Sequence, residues 1–149
     1  MAFDYTGKVV GITGAAGQAG IGFAIAKKFL ESGARVFICD INQQALEDAR
    51  EALKPLGAVE IYKTDVSSEA DVKAMFEKAY GHYGKIDIFV SNAGIYPQKL
   101  VCEMTEGQWD TVMNVNLKSV FLCAREAFHY MKDRGGVLIN AASYAALIG

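Results

Sequence analysis

Two patterns of apolar residues alternate along this chain. Short continuous apolar runs are separated by longer stretches in which apolar residues recur every three or four positions. Lys8-Val-Val-Gly-Ile-Thr13 is a run of the first kind, ending at a glycine-rich turn, and predicts a strand covered on both faces, as in a parallel sheet. Ile21, Ala24, Ile25, Lys28 and Phe29 follow at helical spacing, with Ser32-Gly33 as a helix stop. Arg35-Val-Phe-Ile-Cys39 predicts a second strand, and Leu46, Ala49 and Leu53 mark the stripe of a second helix that ends near Pro55. Val59-Glu-Ile-Tyr62 predicts a third strand. Ser68-Glu-Ala-Asp71 opens a third helix in the manner of a capping box, and its inner face is Val72, Met75, Phe76, Ala79 and Tyr83. Ile86-Asp-Ile-Phe-Val90 is the fourth predicted strand. Thr105-Glu-Gly-Gln108, a second capping box, starts a long fourth helix reaching about Met131, and Gly136-Val-Leu-Ile-Asn140 is the fifth strand.

Strand and helix thus alternate five times. Right-handed crossovers turn that order into an α/β fold, a Rossmann-like doubly wound parallel sheet with helices on both faces. The expected strand order is 3-2-1-4-5, with a ligand bound where the order switches between the first and fourth strands. The length of 149 residues corresponds to about one domain, taken here as 1–149 and incomplete at its C-terminus.

Charge and cysteine content remove several classes of function. The net charge is −2 with no basic block, so no nucleic-acid partner and no anionic membrane is expected. No apolar run approaches a bilayer span, and the start of the chain lacks the charged and apolar segments of a signal peptide. Cys39, Cys102 and Cys123 are odd in number and far apart, so neither a metal site nor a disulfide framework is expected, and a reducing, cytoplasmic location is the default.

Candidate chemistry begins at the glycine-rich turn, Thr13-Gly-Ala-Ala-Gly-Gln-Ala-Gly-Ile-Gly22, between the first strand and the first helix. Glycines let the backbone turn tightly and approach a pyrophosphate, and the helix N-terminus presents free N–H groups to it. Asp40 closes the second strand 20 residues after Gly20, where a carboxylate accepts hydrogen bonds from an adenosine ribose diol and repels a 2′-phosphate. No Arg or Lys stands in the turn or at positions 41–42, so NAD is expected over NADP. Gly14, Gly17, Gly20, Ile21 and Gly22, with Asp40 and Ile41, form this part of the candidate dinucleotide site. A purely structural reading, in which the glycines allow close packing and Asp40 caps the second helix, competes with it; Asn42 could serve as that cap equally well.

These residues and four later motifs resemble the N-terminal part of the classical short-chain dehydrogenase/reductase family. The motifs, in order, are the Thr13–Gly22 turn; Asp65-Val66; Asn92-Ala93-Gly94; Asn114-Val-Asn-Leu117; and Ile139-Asn-Ala-Ala-Ser143. The resemblance implies that Asp65 and Val66 contact adenine and that Asn92, Ala93 and Gly94 steady the central sheet and line the cofactor cleft. It also implies that Asn116 and Ser143 are catalytic. The glycine turn departs from the family's common spacing by two residues, read as a loop enlargement at Gln18-Ala19 that leaves open which glycine faces the pyrophosphate. Through Gly14, Gly17 and Gly20 the spacing resembles the family's extended branch.

The family's Tyr-x-x-x-Lys pair, which performs the proton chemistry, has no counterpart: none of the seven tyrosines has a lysine four residues on. The resemblance therefore implies, for the parent protein, an NAD-dependent oxidoreductase acting on a small carbonyl or secondary alcohol. It implies for this chain dinucleotide binding without turnover. Two rival readings are a non-catalytic nucleotide-binding or self-associating module and an extended-branch epimerase or reductase. A fifth strand without charged residues is an open edge, and Val112, Val115, Val120, Cys123 and Ala127 of the fourth helix are expected to be partly bare. Homo-oligomerisation, or complementation by another chain, is the expected consequence. His82 and His129 are isolated and read as surface or cap residues.

Overall fold

The computed structural model describes residues 3–144. The five strands are β1 (Val9–Thr13), β2 (Arg35–Asp40), β3 (Val59–Lys63), β4 (Ile88–Ser91) and β5 (Val137–Asn140). They form one sheet in the order β3-β2-β1-β4-β5, and every pairing is parallel. The expected fold and strand order are both present. The single-domain span 1–149 includes residues 1–2 and 145–149, which lie outside the described residues.

Five α-helices connect the strands: α1 (Ile21–Glu31), α2 (Gln43–Leu53), α3 (Glu69–Tyr83), α4 (Glu106–Met113) and α5 (Ser119–Met131). Alternate strand residues point to opposite faces. Val10, Ile12, Val36, Ile38 and Val90 pack on Ala26 and Leu30 of α1 and on Leu46, Ala49 and Leu53 of α2. Val9, Phe37, Cys39 and Phe89 pack on Val72, Met75, Phe76 and Ala79 of α3 and on Leu122, Cys123, Ala127 and Met131 of α5. Gly11 leaves room for the Phe37 ring, which a methyl group there would overlap.

Three expectations need correction. The core stripe of α1 is Gly22, Ala26 and Leu30, flanked by half-buried Phe23, Ile25 and Phe29, whereas Ile21 and Ala24 face out. Gly22 sets this rotation, because a Cβ there would lie 2.5 Å from the Gly14 carbonyl oxygen and 2.7 Å from Asn92 Nδ2. The helix must turn its one residue without a side chain to that contact. The α3 start is a half box: Ser68 Oγ accepts from the Asp71 N–H, but the Ser68 N–H donates to the Asp65 carbonyl, and the Asp71 carboxylate accepts instead from the Asp65 N–H and the Ser68 hydroxyl.

The third correction concerns the fourth helix. It is interrupted by a π-helical turn, Asn114–Lys118, between α4 and α5. The wider turn shifts the helical register, so a stripe extrapolated from Val112 through Ala127 does not stay on one face. Cys123 and Ala127, expected bare, are buried against α3, and Val112, Val115 and Val120 are half-buried. The largely exposed large apolar residues of this segment are Trp109 in α4 and Leu117, Phe121 and Phe128 from the π turn onward.

Candidate functional site

The carboxyl ends of the strands define the site. At the switch point between β1 and β4, Thr13 Oγ1 accepts from the N–H groups of Asn92 and Ala93, both at 2.9 Å. Asn92 Nδ2 donates back to the carbonyls of Thr13 (3.0 Å) and Gly14 (3.1 Å). This clasp fixes the glycine turn to the end of β4. Gly14 sits at φ +64°, left-handed backbone that glycine adopts without strain, and a Cβ there would lie 2.7 Å from Ala93 Cα. Gly14 and Gly22 are thus required by the protein's own packing.

Gly17 and Gly20 are different. A Cβ on Gly17 would meet nothing within 4 Å, and one on Gly20 would meet only the Gly17 carbonyl. Neither glycine has a positive φ. Among the described α-helices that begin at a loop, α2, α3 and α4 are capped by the side chains of Asn42, Ser68 and Thr105. Helix α1 starts at Gly20 with no side-chain cap and no acid in its first turn. Unfilled space above the turn and an uncapped helix start fit a pyrophosphate, whose oxygens can accept from the first N–H groups and meet the positive dipole end.

Beside the turn lies a cavity of about 170 Å³. Four of the five strand ends contribute to its wall: Gly14 after β1, Asp40 and Ile41 at β2, Thr64, Asp65 and Val66 after β3, and Ala93, Gly94 and Ile95 after β4, with Val115 from the π turn. Seven of the expected cofactor residues therefore meet in one cavity. Asp40 Oδ2 accepts from the Ala16 N–H and Oδ1 from the Asn42 N–H, each at 3.3 Å. A carboxylate offers about four lone-pair sites, so two remain, enough for a ribose diol. Asn42 caps α2 by accepting from the Ala45 N–H, so Asp40 does not serve as that cap. Asp65 Oδ1 accepts from the Ser67 N–H at 2.9 Å and the Ser67 hydroxyl at 2.6 Å, which holds the loop after β3. No cationic side chain lines this cavity.

Asn116 lies in the π turn. Its Oδ1 accepts from the Ile95 N–H at 2.8 Å, and its Nδ2 donates to the Ile95 carbonyl at 2.9 Å. The amide is used on both sides, pinning the loop after Asn92-Ala93-Gly94 to the helix. Ser143 follows β5 by three residues, at the same end of the sheet, but does not line the cavity. The sequence reading missed Thr64, Ile95 and Val115. Each is adjacent to or inside a recognised motif, so motif neighbours at strand ends were the available signal.

The cysteines offer no nucleophile in this site. Burial raises the Cys39 thiol well above its ordinary range and pushes Cys123 up to about 12, while exposed Cys102 lies in the loop after β4. No cluster of metal-ligating side chains occurs among the described residues, and no helix there is long and apolar enough to cross a membrane.

The open parallel sheet with its crevice at the carboxyl end defines a Rossmann-like α/β architecture. Comparison with known proteins carries this further. Residues 14–149 match the family model described as Enoyl-(Acyl carrier protein) reductase. The chain is 40% identical over 145 residues to a 3beta-hydroxysteroid dehydrogenase 2 of Eggerthella lenta, covering 95% of this chain and 55% of the relative. It is also 40% identical over 151 residues to a 3-oxoacyl-(acyl-carrier-protein) reductase FabG of Chlamydia pneumoniae, covering all of this chain and 60% of the relative. A crystal structure of a short chain dehydrogenase from Mycobacterium smegmatis superposes with a TM-score of 0.93 at 38% identity, over 100% of this chain and 65% of the other. The chain belongs to the short-chain dehydrogenase/reductase family of oxidoreductases. It spans a little over half the length of the curated relatives it matches.

Proposed function

We propose that this chain forms the dinucleotide-holding part of an NAD-dependent oxidoreductase that moves hydride between nicotinamide and a carbonyl or secondary alcohol. The observation that carries the NAD preference is Asp40. Its carboxylate borders the cavity, is fixed by two backbone N–H groups, keeps two acceptor positions for ribose hydroxyls, and has no cation beside it in the cavity wall. A 2′-phosphate there would meet the negative charge of Asp40, and no cation among the residues that line the cavity. In this reading Gly17, Gly20 and the α1 N-terminus receive the pyrophosphate, and Ile21 and Gly22 place that helix end. Ile41, Asp65 and Val66 border the adenine, and Asn92, Ala93 and Gly94 border the nicotinamide half.

When bound, the nicotinamide supplies or accepts the hydride. Ser143 is assigned to hydrogen-bond the substrate oxygen. Asn116 is assigned to the family's proton relay, and its two hydrogen bonds with the Ile95 backbone hold that part of the cleft in place. The Tyr-x-x-x-Lys pair is absent from the 149 residues. A missing positioned proton donor costs on the order of 10²–10⁴-fold in rate, so the chain by itself is assigned binding without turnover. Self-association is proposed from the exposed Leu117, Phe121 and Phe128 and the open edge of β5, and a cytoplasmic location from three unpaired thiols.

The test is Asp40→Asn with NADH and NADPH titrated in parallel. Loss of NADH affinity by about tenfold, roughly 1.4 kcal/mol, with NADPH unchanged or tighter, supports the assignment. An equal loss for both nucleotides removes Asp40 from the selective role.

A further inference from the structure

The π turn between α4 and α5 displaces a backbone hydrogen bond, and a side chain fills the gap. In an α-helix each N–H donates to the carbonyl four residues back. The Ser119 N–H instead reaches the carbonyl of Asn114, five residues back. Val115, whose carbonyl that N–H would serve in an α-helix, accepts from the Ser119 hydroxyl. A backbone carbonyl that loses its donor away from water is unfavourable, so this hydroxyl offsets what the wide turn gives up. Ser119 is 3% exposed and heads the buried stripe of α5, which continues through Leu122, Cys123 and Ala127. A core-facing position of this kind ordinarily carries an apolar side chain. The hydroxyl placed there serves the turn.

That turn carries two parts of the site. Val115 lines the cavity, and Asn116 ties down the loop after β4 through both the N–H and the carbonyl of Ile95, a second wall residue. Ser119 itself does not line the cavity. We propose that Ser119 is a positioning residue for this site: its hydroxyl holds the π register, and the register sets Val115 in the cavity wall and brings the Asn116 amide to Ile95. Its effect on nucleotide affinity rests on the reading of the cavity as a dinucleotide site. Without the hydroxyl, the Val115 carbonyl recovers a donor when the Ser119 N–H returns to it, which narrows the turn to the α-helical register. A narrower turn rotates Val115 and Asn116 about the helix axis relative to α5, whose stripe is fixed against α3. The Asn116 amide then loses its alignment with Ile95.

The experiment compares the 149-residue chain with Ser119→Ala, Ser119→Thr, Asn116→Ala and the combination of Ser119→Ala with Asn116→Ala. Hydrogen exchange of the Ile95 amide, NADH affinity and urea unfolding are measured on each. Ser119→Ala should speed Ile95 exchange by about tenfold, beyond any change at the β1 and β2 amides, and weaken NADH binding by about fivefold, the scale of one hydrogen bond. Threonine also donates to a carbonyl one turn back in a helix, so Ser119→Thr should stay within about twofold of the parent in both. Because Ser119 acts through the turn that holds Asn116, the combined variant should lose less NADH affinity than the two single losses added together. An Ile95 amide that exchanges at the parent rate in Ser119→Ala, or speeds up only in step with the whole sheet, overturns the proposal. So does a combined loss equal to the sum of the two. If Ser119→Thr does not fold because of its added methyl, the other three variants decide the matter. If the parent chain binds no NADH, the dinucleotide reading fails, and Ile95 exchange still tests whether Ser119 holds the turn.

Discussion

The closed part of the sheet, around β1 and β2, and its open end at β5 use similar residues to opposite effect. Val9, Val10 and Ile12 of β1 and Val36, Phe37 and Ile38 of β2 are fully buried, with α1 and α2 on one face and α3 and α5 on the other. Val137, Leu138 and Ile139 of β5 are as apolar, yet 52%, 40% and 44% exposed. β5 has β4 on one edge and α5 against it, and all four of its residues are exposed. An apolar run specifies a strand that is able to be buried; the layers packed on it decide whether it is. The cavity at the strand ends also draws its β1 and β2 walls from this closed part.

That contrast predicts where substitutions matter most. The largest effect is expected inside the closed part. Gly22→Ala puts a methyl 2.5 Å from the Gly14 carbonyl and 3.0 Å from Ala15 Cα. It should cost about 3 kcal/mol in urea unfolding, since backbone on both sides leaves little room to relax. Gly17→Ala, in the same turn, meets open space. It should leave stability within about 0.5 kcal/mol while weakening NADH binding. Equal stability losses at the two glycines would break the division between packing glycines and ligand-facing ones.

An intermediate effect is expected at the amino end of β4. Burial alone would raise the Asp87 carboxyl, but the Val9 N–H, Lys85 and Lys8 together hold it below its usual range. Asp87→Ala should cost about 2 kcal/mol at neutral pH, the scale of a hydrogen bond to a charged group. Because the folded pKa is the lower one, this contribution is complete above the ordinary carboxylate range and is lost as the pH falls through the folded value. The gap between parent and variant should therefore be flat down to about pH 5 and shrink below about pH 4. Stability curves that stay parallel through that acid range would remove the assigned role of the carboxylate.

The smallest effect on stability is expected at the open end. Leu138→Lys should change unfolding by less than about 0.5 kcal/mol, as for an exposed site. In sedimentation it should move the chain toward monomer by charging the free edge. An unchanged association state would transfer the role to Leu117, Phe121 and Phe128.

Much of the fold was legible because each strand is a short apolar run and each connection carries a cap or a glycine stop. Asp40, Asp65-Val66 and Ala93-Gly94 were legible as parts of the cavity because they lie at strand ends, where the topology must gather them. What was not legible depended on contacts between distant residues. The rotation of α1 follows from Gly22 meeting Gly14 and Asn92, which no local period encodes. The π turn at Asn114–Lys118 breaks the 3.6-residue repeat that placed Cys123 and Ala127 on an open face. The bond from the Ala16 N–H to Asp40 joins residues 24 positions apart, and with it the arrangement of the enlarged turn.

The most direct test of the account is calorimetric titration of the 149-residue chain with NADH, with NADPH alongside. Saturable binding of about one NADH per chain, tighter than NADPH, is the predicted result. It would mean that the closed part of the sheet holds a working dinucleotide site on its own. Absence of saturable NADH binding, in a chain shown to be folded by its unfolding transition, would contradict the central claim.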